Sequence, residues 1–154
     1  MIKRKYDDSV YDPETLKNVR SQWLELLLIF SDIDFQEQYL LNKEIRNPFY
    51  SYSEIFECYS SVTWNDNYEE MIECGYYTSE EYEIIKEFHK RLWAYLPPNN
   101  DYDDREGILA DPEWLEIVAF GKDRMAQLKK IITDPDELKF FDNYYPELNE
   151  GDFT

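Results

Sequence analysis

Asp111-Pro112-Glu113-Trp114-Leu115-Glu116-Ile117-Val118-Ala119-Phe120-Gly121-Lys122-Asp123-Arg124-Met125-Ala126-Gln127-Leu128 reads as one amphipathic helix. Asp111 is a side-chain acceptor at the N-cap, and Pro112 presets φ at the first helical position. Glu113 puts negative charge in the first turn, where the helix dipole favours it. Trp114, Ile117, Val118, Gly121, Met125 and Leu128 then recur in steps of three and four, a stripe that continues to Ile132. Gly121 lies inside that stripe although glycine weakens a helix by about 1 kcal/mol relative to alanine. Its position predicts close approach of a neighbouring helix.

The same start signal occurs at Asp12-Pro13-Glu14 and at Asp134-Pro135-Asp136-Glu137, and Ser51-Tyr52-Ser53-Glu54 and Thr78-Ser79-Glu80-Glu81 read as capping boxes. Stripes follow each start. Leu16, Val19, Trp23, Leu26, Leu27 and Phe30 mark the first helix, and Ile85, Phe88, Leu92 and Tyr95 mark the one that ends before Pro97-Pro98. Phe35, Tyr39 and Leu40 suggest a short helix stopping before Asn47-Pro48; Ile55, Phe56, Tyr59 and Val62 mark another. A further short helix over Tyr68 to Cys74 closes at Gly75, a C′ glycine. No segment alternates like a strand, and no Asn-Gly or Asp-Gly hairpin turn occurs. The chain reads as a compact all-α bundle of six or seven helices. One domain spans residues 1–154, with 1–10 and 146–154 expected as flexible tails. Pro97 to Gly107 reads as an exposed acidic loop.

Length and composition fit this reading. A chain of 154 residues that is 43% apolar can bury a core without staples. Its two cysteines, Cys58 and Cys74, are too few for a disulfide framework, so a reduced cytoplasmic chain is the expectation. They read as small buried hydrophobes. The longest apolar run, Leu26 to Phe30, falls far short of a membrane span.

The net charge is −18, and it is unevenly placed. Residues 1–30 are neutral overall, whereas 54–87 carries −9, and 101–116 and 132–154 carry −6 each. Such a chain is a poor match for phosphate backbones or anionic bilayers, so neither nucleic acid nor membrane is an expected direct partner. With 18% aromatics it is also no disordered acidic tail.

Catalytic signals are thin. The single histidine, His89, has no second histidine or cysteine at ligand spacing and reads as a surface or satisfied-core residue. Asp101, Asp103, Asp104 and Glu106 resemble a calcium loop at its start, but glycine falls one position late and Pro112 stands where the bidentate glutamate is required. Phosphate loops, Glu-x-x-His pairs and triads have no counterpart. No catalytic, cofactor or metal residue is assigned, and the chain is read as a non-enzyme.

Acids interleaved with large aromatics suit a cationic protein partner, because the acids steer encounter and the rings anchor it. Trp64, Asp66, Tyr68, Glu69 and Glu70 form one candidate contact set; Asp101, Tyr102, Asp103 and Asp104 form the other. The order of segments adds a resemblance. Trp23-Leu24-Glu25-Leu26, Asp34-Phe35-Gln36-Glu37-Gln38, Pro48-Phe49, Tyr52 to Glu57, Thr78-Ser79-Glu80-Glu81 and Asp111-Pro112-Glu113-Trp114 follow one another over residues 20–132. This layout resembles small acidic immunity proteins encoded beside polymorphic toxins and contact-dependent growth-inhibition systems in bacteria. The resemblance implies a cytoplasmic, non-enzymatic protein that neutralises one cognate basic toxin domain, commonly a nuclease. The alternatives are a nucleic-acid mimic or adaptor for another cationic protein, and a carboxylate-dependent, metal-assisted hydrolase.

Overall fold

The computed structural model describes residues 13–41 and 52–142. Asp12, Ser51, the Asn47-Pro48 stop and both expected tails lie outside these residues in whole or in part. Eight α-helices and no strand occur among the described residues: α1 (Pro13–Phe30), α2 (Ile33–Leu41), α3 (Tyr52–Val62), α4 (Tyr68–Glu73), α5 (Ser79–Ala94), α6 (Arg105–Leu109), α7 (Pro112–Lys129) and α8 (Pro135–Phe140). The chain is all-α.

Local signals set the helix ends. Asp111 accepts from the Glu113 amide at 3.1 Å, and Asp134 accepts from the Asp136 amide at 2.8 Å. Thr78 and Glu81 close a reciprocal capping box, at 3.0 Å and 2.9 Å. Gly75 stands at φ +91°, and the Gly75 and Tyr76 amides donate to the carbonyls of Ile72 and Met71. That is a Schellman ending, with glycine in the left-handed position it tolerates best.

Helix α1 runs through the middle. It packs against α2, α3, α7 and α8, which is why its last turns are buried on every side, Leu24, Leu28 and Ile29 included. Helices α5 and α7 make the most extensive pair. Trp114, Ile117, Val118, Gly121, Met125 and Leu128 are all buried, as their spacing predicts. A Cβ at Gly121 would stand 2.3 Å from the ring of the fully buried Phe88 on α5. Glycine is there because two helices meet. Ile132 is buried too, although α7 stops at Lys129 and Ile132 follows just after the turn at 130–131.

Two expectations need correction. Residues 97–107 are not a free loop: Pro97 is buried, a 3₁₀ turn spans Pro98–Asn100, and Asp104 caps α6 through the Gly107 amide at 3.0 Å. Helix α6 exists because Ile108 and Leu109 are buried where it packs on α2 and α7. It raises the helix number to eight among the described residues. Cys58 is exposed and Cys74 only half-buried, because Cys58 follows Glu57 on the solvent side of α3. Partial burial, then the neighbouring Glu54 and Glu57, push the Cys58 thiol up, away from reactive thiolate.

Candidate protein-binding surface

Helices α3 and α5 meet through side chains, the Tyr59 hydroxyl lying 2.7 Å from His89 Nδ1, and the turn from α3 into α4 beside them has an unusual backbone. Trp64, Asn65 and Asp66 occupy consecutive left-handed positions, at φ 49°, 56° and 70°. Left-handed backbone costs a residue with a Cβ about 1–2 kcal/mol, so the turn needs ties. The Asn65 amide donates to the Ser60 carbonyl at 2.8 Å, and the Ser60 hydroxyl donates to the Asn65 side chain at 2.7 Å. A third tie is to His89 of α5, whose Nε2 bonds the Asp66 carboxylate.

His89 is buried and closes a chain of polar groups through the core. Trp23 Nε1 donates to the Tyr68 hydroxyl at 2.6 Å, the Tyr59 and Tyr68 hydroxyls are 3.0 Å apart, and the Tyr59 hydroxyl lies 2.7 Å from His89 Nδ1. One proton arrangement satisfies every member. Trp23 donates to Tyr68, Tyr68 to Tyr59, Tyr59 to Nδ1, and a neutral imidazole donates from Nε2 to Asp66. Protonating Nδ1 would reverse the tyrosines and leave the Tyr68 hydroxyl proton without an acceptor. Burial accordingly pulls the His89 pKa below its usual 6.5, outweighing the upward pull of Asp66. The chain resembles an Asp–His–Tyr relay, but Tyr59 is fully buried and cannot meet a substrate.

A stability prediction follows. Unfolded His89 takes up a proton near pH 6.5, whereas the folded imidazole resists until lower pH, so stability present above 6.5 is lost as pH falls through the folded pKa. His89 is the single histidine, so no other side chain has an ordinary pKa in that window. Urea midpoints of the wild type should fall from pH 7.0 to pH 5.5, and the His89→Gln variant should lose much of that slope. An unchanged slope in His89→Gln would refute the neutral assignment.

Outside this tie the surface opens into a groove of about 300 Å³ lined by Ser53, Phe56, Glu57, Ser60, Leu92, Trp93 and Tyr102. The Tyr102 hydroxyl donates to the Tyr95 carbonyl at 2.8 Å, and its ring meets Phe56 edge-on at 5.3 Å. Trp93 is 41% exposed and Leu96, just beyond α5, is 67% exposed. A second depression, lined by Glu57, Ser60, Ser61, Trp64 and Asn65, shares Glu57 and Ser60 with the groove. Among the described residues no lysine or arginine lines either one.

This geometry relates the two candidate contact sets. Trp64 and Tyr102 stand at opposite ends of one surface with Glu57 between them. Asp66 flanks it, 46% exposed beyond its bond to His89. Glu69 is exposed; Glu70 is half-buried and accepts from the Asn67 side chain at 2.7 Å. Tyr68 is corrected: it is buried with its hydroxyl in the core chain, and offers no ring to a partner. Asp103 is exposed, Asp101 is exposed and accepts from the Asp103 amide at 3.0 Å, and Asp104 serves α6 as its cap. Phe56, Glu57 and Trp93 belong to the surface although they stand outside both sets. Trp93 carried a readable signal, because it falls off the Ile85, Phe88, Leu92 stripe.

Three acids of 132–142 are engaged elsewhere. Asp134 caps α8, Asp136 meets Lys17 at 3.3 Å, and Glu137 is bound to Arg20 in the N-terminal half of α1. Among the described residues no group of three or more His, Cys, Asp or Glu is placed to hold a metal ion, and no helix is long and apolar enough to cross a membrane. Comparison with protein families, with curated proteins and with solved structures gave no match.

Proposed function

We propose that this chain is an immunity protein, which binds a cognate bacterial toxin domain of basic character and neutralises it by covering its working surface. A nuclease is the class the charge fits best, because its phosphate-binding cations would meet this protein's acids. The observation that carries the reading is the α3–α5 face, where an aromatic groove has the Glu57 carboxylate in its lining and, among the described residues, no lysine or arginine. Exposed tryptophan beside tyrosine and phenylalanine gives rigid contact area, and excess negative charge raises the rate of encounter. The location expected for such a protein is the cytoplasm, where the toxin acts.

The test is co-expression with the polypeptide encoded immediately upstream of this chain's gene. Its C-terminal domain should arrest bacterial growth when expressed alone, and this chain should relieve the arrest and co-elute with it. Association should slow steeply as salt rises. A neighbour without toxicity, or toxicity that this chain leaves unchanged, would overturn the proposal.

A further inference from the structure

We infer that the groove between α3, α5 and Tyr102 is a receptor for one arginine side chain of the partner protein. The inference rests on the reading of this face as the contact surface and adds the chemistry that fills it. Three observations lead there. The groove is walled by the rings of Phe56, Trp93 and Tyr102, which offer π faces and edges to a flat cation. Glu57 stands at its rim, and among the described residues no lysine or arginine is paired with it. Ser53 and Ser60 add hydroxyl oxygens beside the same opening, able to accept further N–H bonds.

Arginine fits this set better than lysine. A guanidinium is planar, stacks on aromatic rings, is less strongly hydrated than an ammonium and can bond a carboxylate through two parallel N–H groups. The protein already uses the same combination twice. Arg91 lies 4.0 Å above the Phe120 ring while ion-paired to Glu87 at 3.5 Å. Arg20 lies 5.6 Å from the Trp23 ring while held by Glu81 and Glu137. At the groove the aromatic and acidic halves of this arrangement are present with no arginine of the described residues beside them. Net negative charge over 54–87 supplies the long-range attraction that would bring one in.

The probe is an N-acetylated, C-amidated Gly-Arg-Gly peptide, titrated into the ¹⁵N-labelled full chain and followed by NMR, with the Gly-Lys-Gly peptide in parallel. The arginine peptide should shift the Trp93 indole and the amides of Phe56, Glu57, Ser60 and Tyr102 along one saturating curve. Its half-saturation should fall at least about fivefold below that of the lysine peptide. Trp93→Ala and Glu57→Gln, both at exposed positions, should each weaken binding by about fivefold or more, while Asp136→Asn on the α8 side should not. Equal response to both peptides, shifts spread across α7 and α8, or unaltered binding by Glu57→Gln would overturn the inference. Its failure is separable from that of the proposed function. A toxin neutralised without arginine capture sinks only the groove, and arginine capture without neutralisation sinks only the immunity reading.

Discussion

Arg20→Leu is expected to destabilise the fold by about 3–5 kcal/mol, the usual consequence of leaving buried carboxylates without their cation. All five guanidinium N–H groups are used. Nε donates to Glu137 at 2.8 Å; Nη1 donates to Glu81 at 2.9 Å and to the Tyr76 carbonyl at 2.8 Å; Nη2 donates to Glu81 at 2.6 Å and to Glu137 at 3.0 Å. Burial alone would pull the guanidinium pKa down, but the hydrogen bonds and charges of the two glutamates raise it above its usual value. The triad fastens α1 to the start of α5 and to α8, joining residues 61 and 117 positions apart. The melting temperature should drop by about 10 °C in Arg20→Leu, at a few degrees per kcal/mol for a chain of this length. Adding Glu81→Gln and Glu137→Gln to Arg20→Leu should recover a large part of the loss, since glutamine still completes the Thr78 capping box. A loss below about 1 kcal/mol in Arg20→Leu would show that the two carboxylates reach solvent.

That triad also marks the limit of what the sequence makes legible. The caps at Thr78, Asp111 and Asp134 and the ending at Gly75 are decided within four residues of chain, so they can be read directly. The α7 stripe is equally local, and Gly121 even announces the close α5 contact. Glu81 shows where local reading stops. Its role at N3 follows from Thr78, yet nothing nearby says that the same carboxylate binds an arginine from α1. The short helix α6 is hidden for a related reason. Five residues have little helical stability of their own, and Ile108 and Leu109 are held by partners on α2 and α7.

The candidate surface was partly legible on the same terms. Composition places acids and aromatics in 54–70 and 101–104, but only tertiary packing joins Trp64 and Tyr102 across Glu57. Packing also sorts rings that look alike in sequence. Tyr68 goes to the core because its hydroxyl meets Trp23 and Tyr59, whereas Trp93 stays out because Leu92 takes the inward position on α5. His89 and Asp66 are 23 residues apart, and their bond shapes the turn that presents Trp64.

Gln36→Leu should cost about 3 kcal/mol, although glutamine to leucine on a helix is ordinarily a mild change. Gln36 is fully buried on α2 and is the polar hub of the aromatic core. Its Oε1 accepts from the Tyr52 hydroxyl at 2.7 Å and from Trp114 Nε1 at 2.9 Å, while its Nε2 donates to the Ile29 carbonyl at 2.7 Å. The Ile29 carbonyl keeps the Asp32 amide when glutamine is removed, so the cost falls mainly on the two orphaned donors, at about 1–3 kcal/mol each. Gln38 on the same helix is exposed, and Gln38→Leu should stay within about 0.5 kcal/mol. The decisive comparison is Gln36→Leu combined with Tyr52→Phe. If orphaned donors carry the penalty, deleting one of them should return about 1 kcal/mol, so the double variant is more stable than Gln36→Leu alone. Additive losses in chemical denaturation would instead assign the effect to packing. The consequence reaches the surface, because Trp114 packs on Phe56 with ring centres 6.0 Å apart, and Phe56 forms one wall of the groove. Loosening Trp114 by Gln36→Leu should therefore weaken arginine-peptide binding as well as stability, whereas Arg20→Leu, at a residue outside the groove's lining, should lower stability while leaving the groove's affinity in the remaining folded protein unchanged.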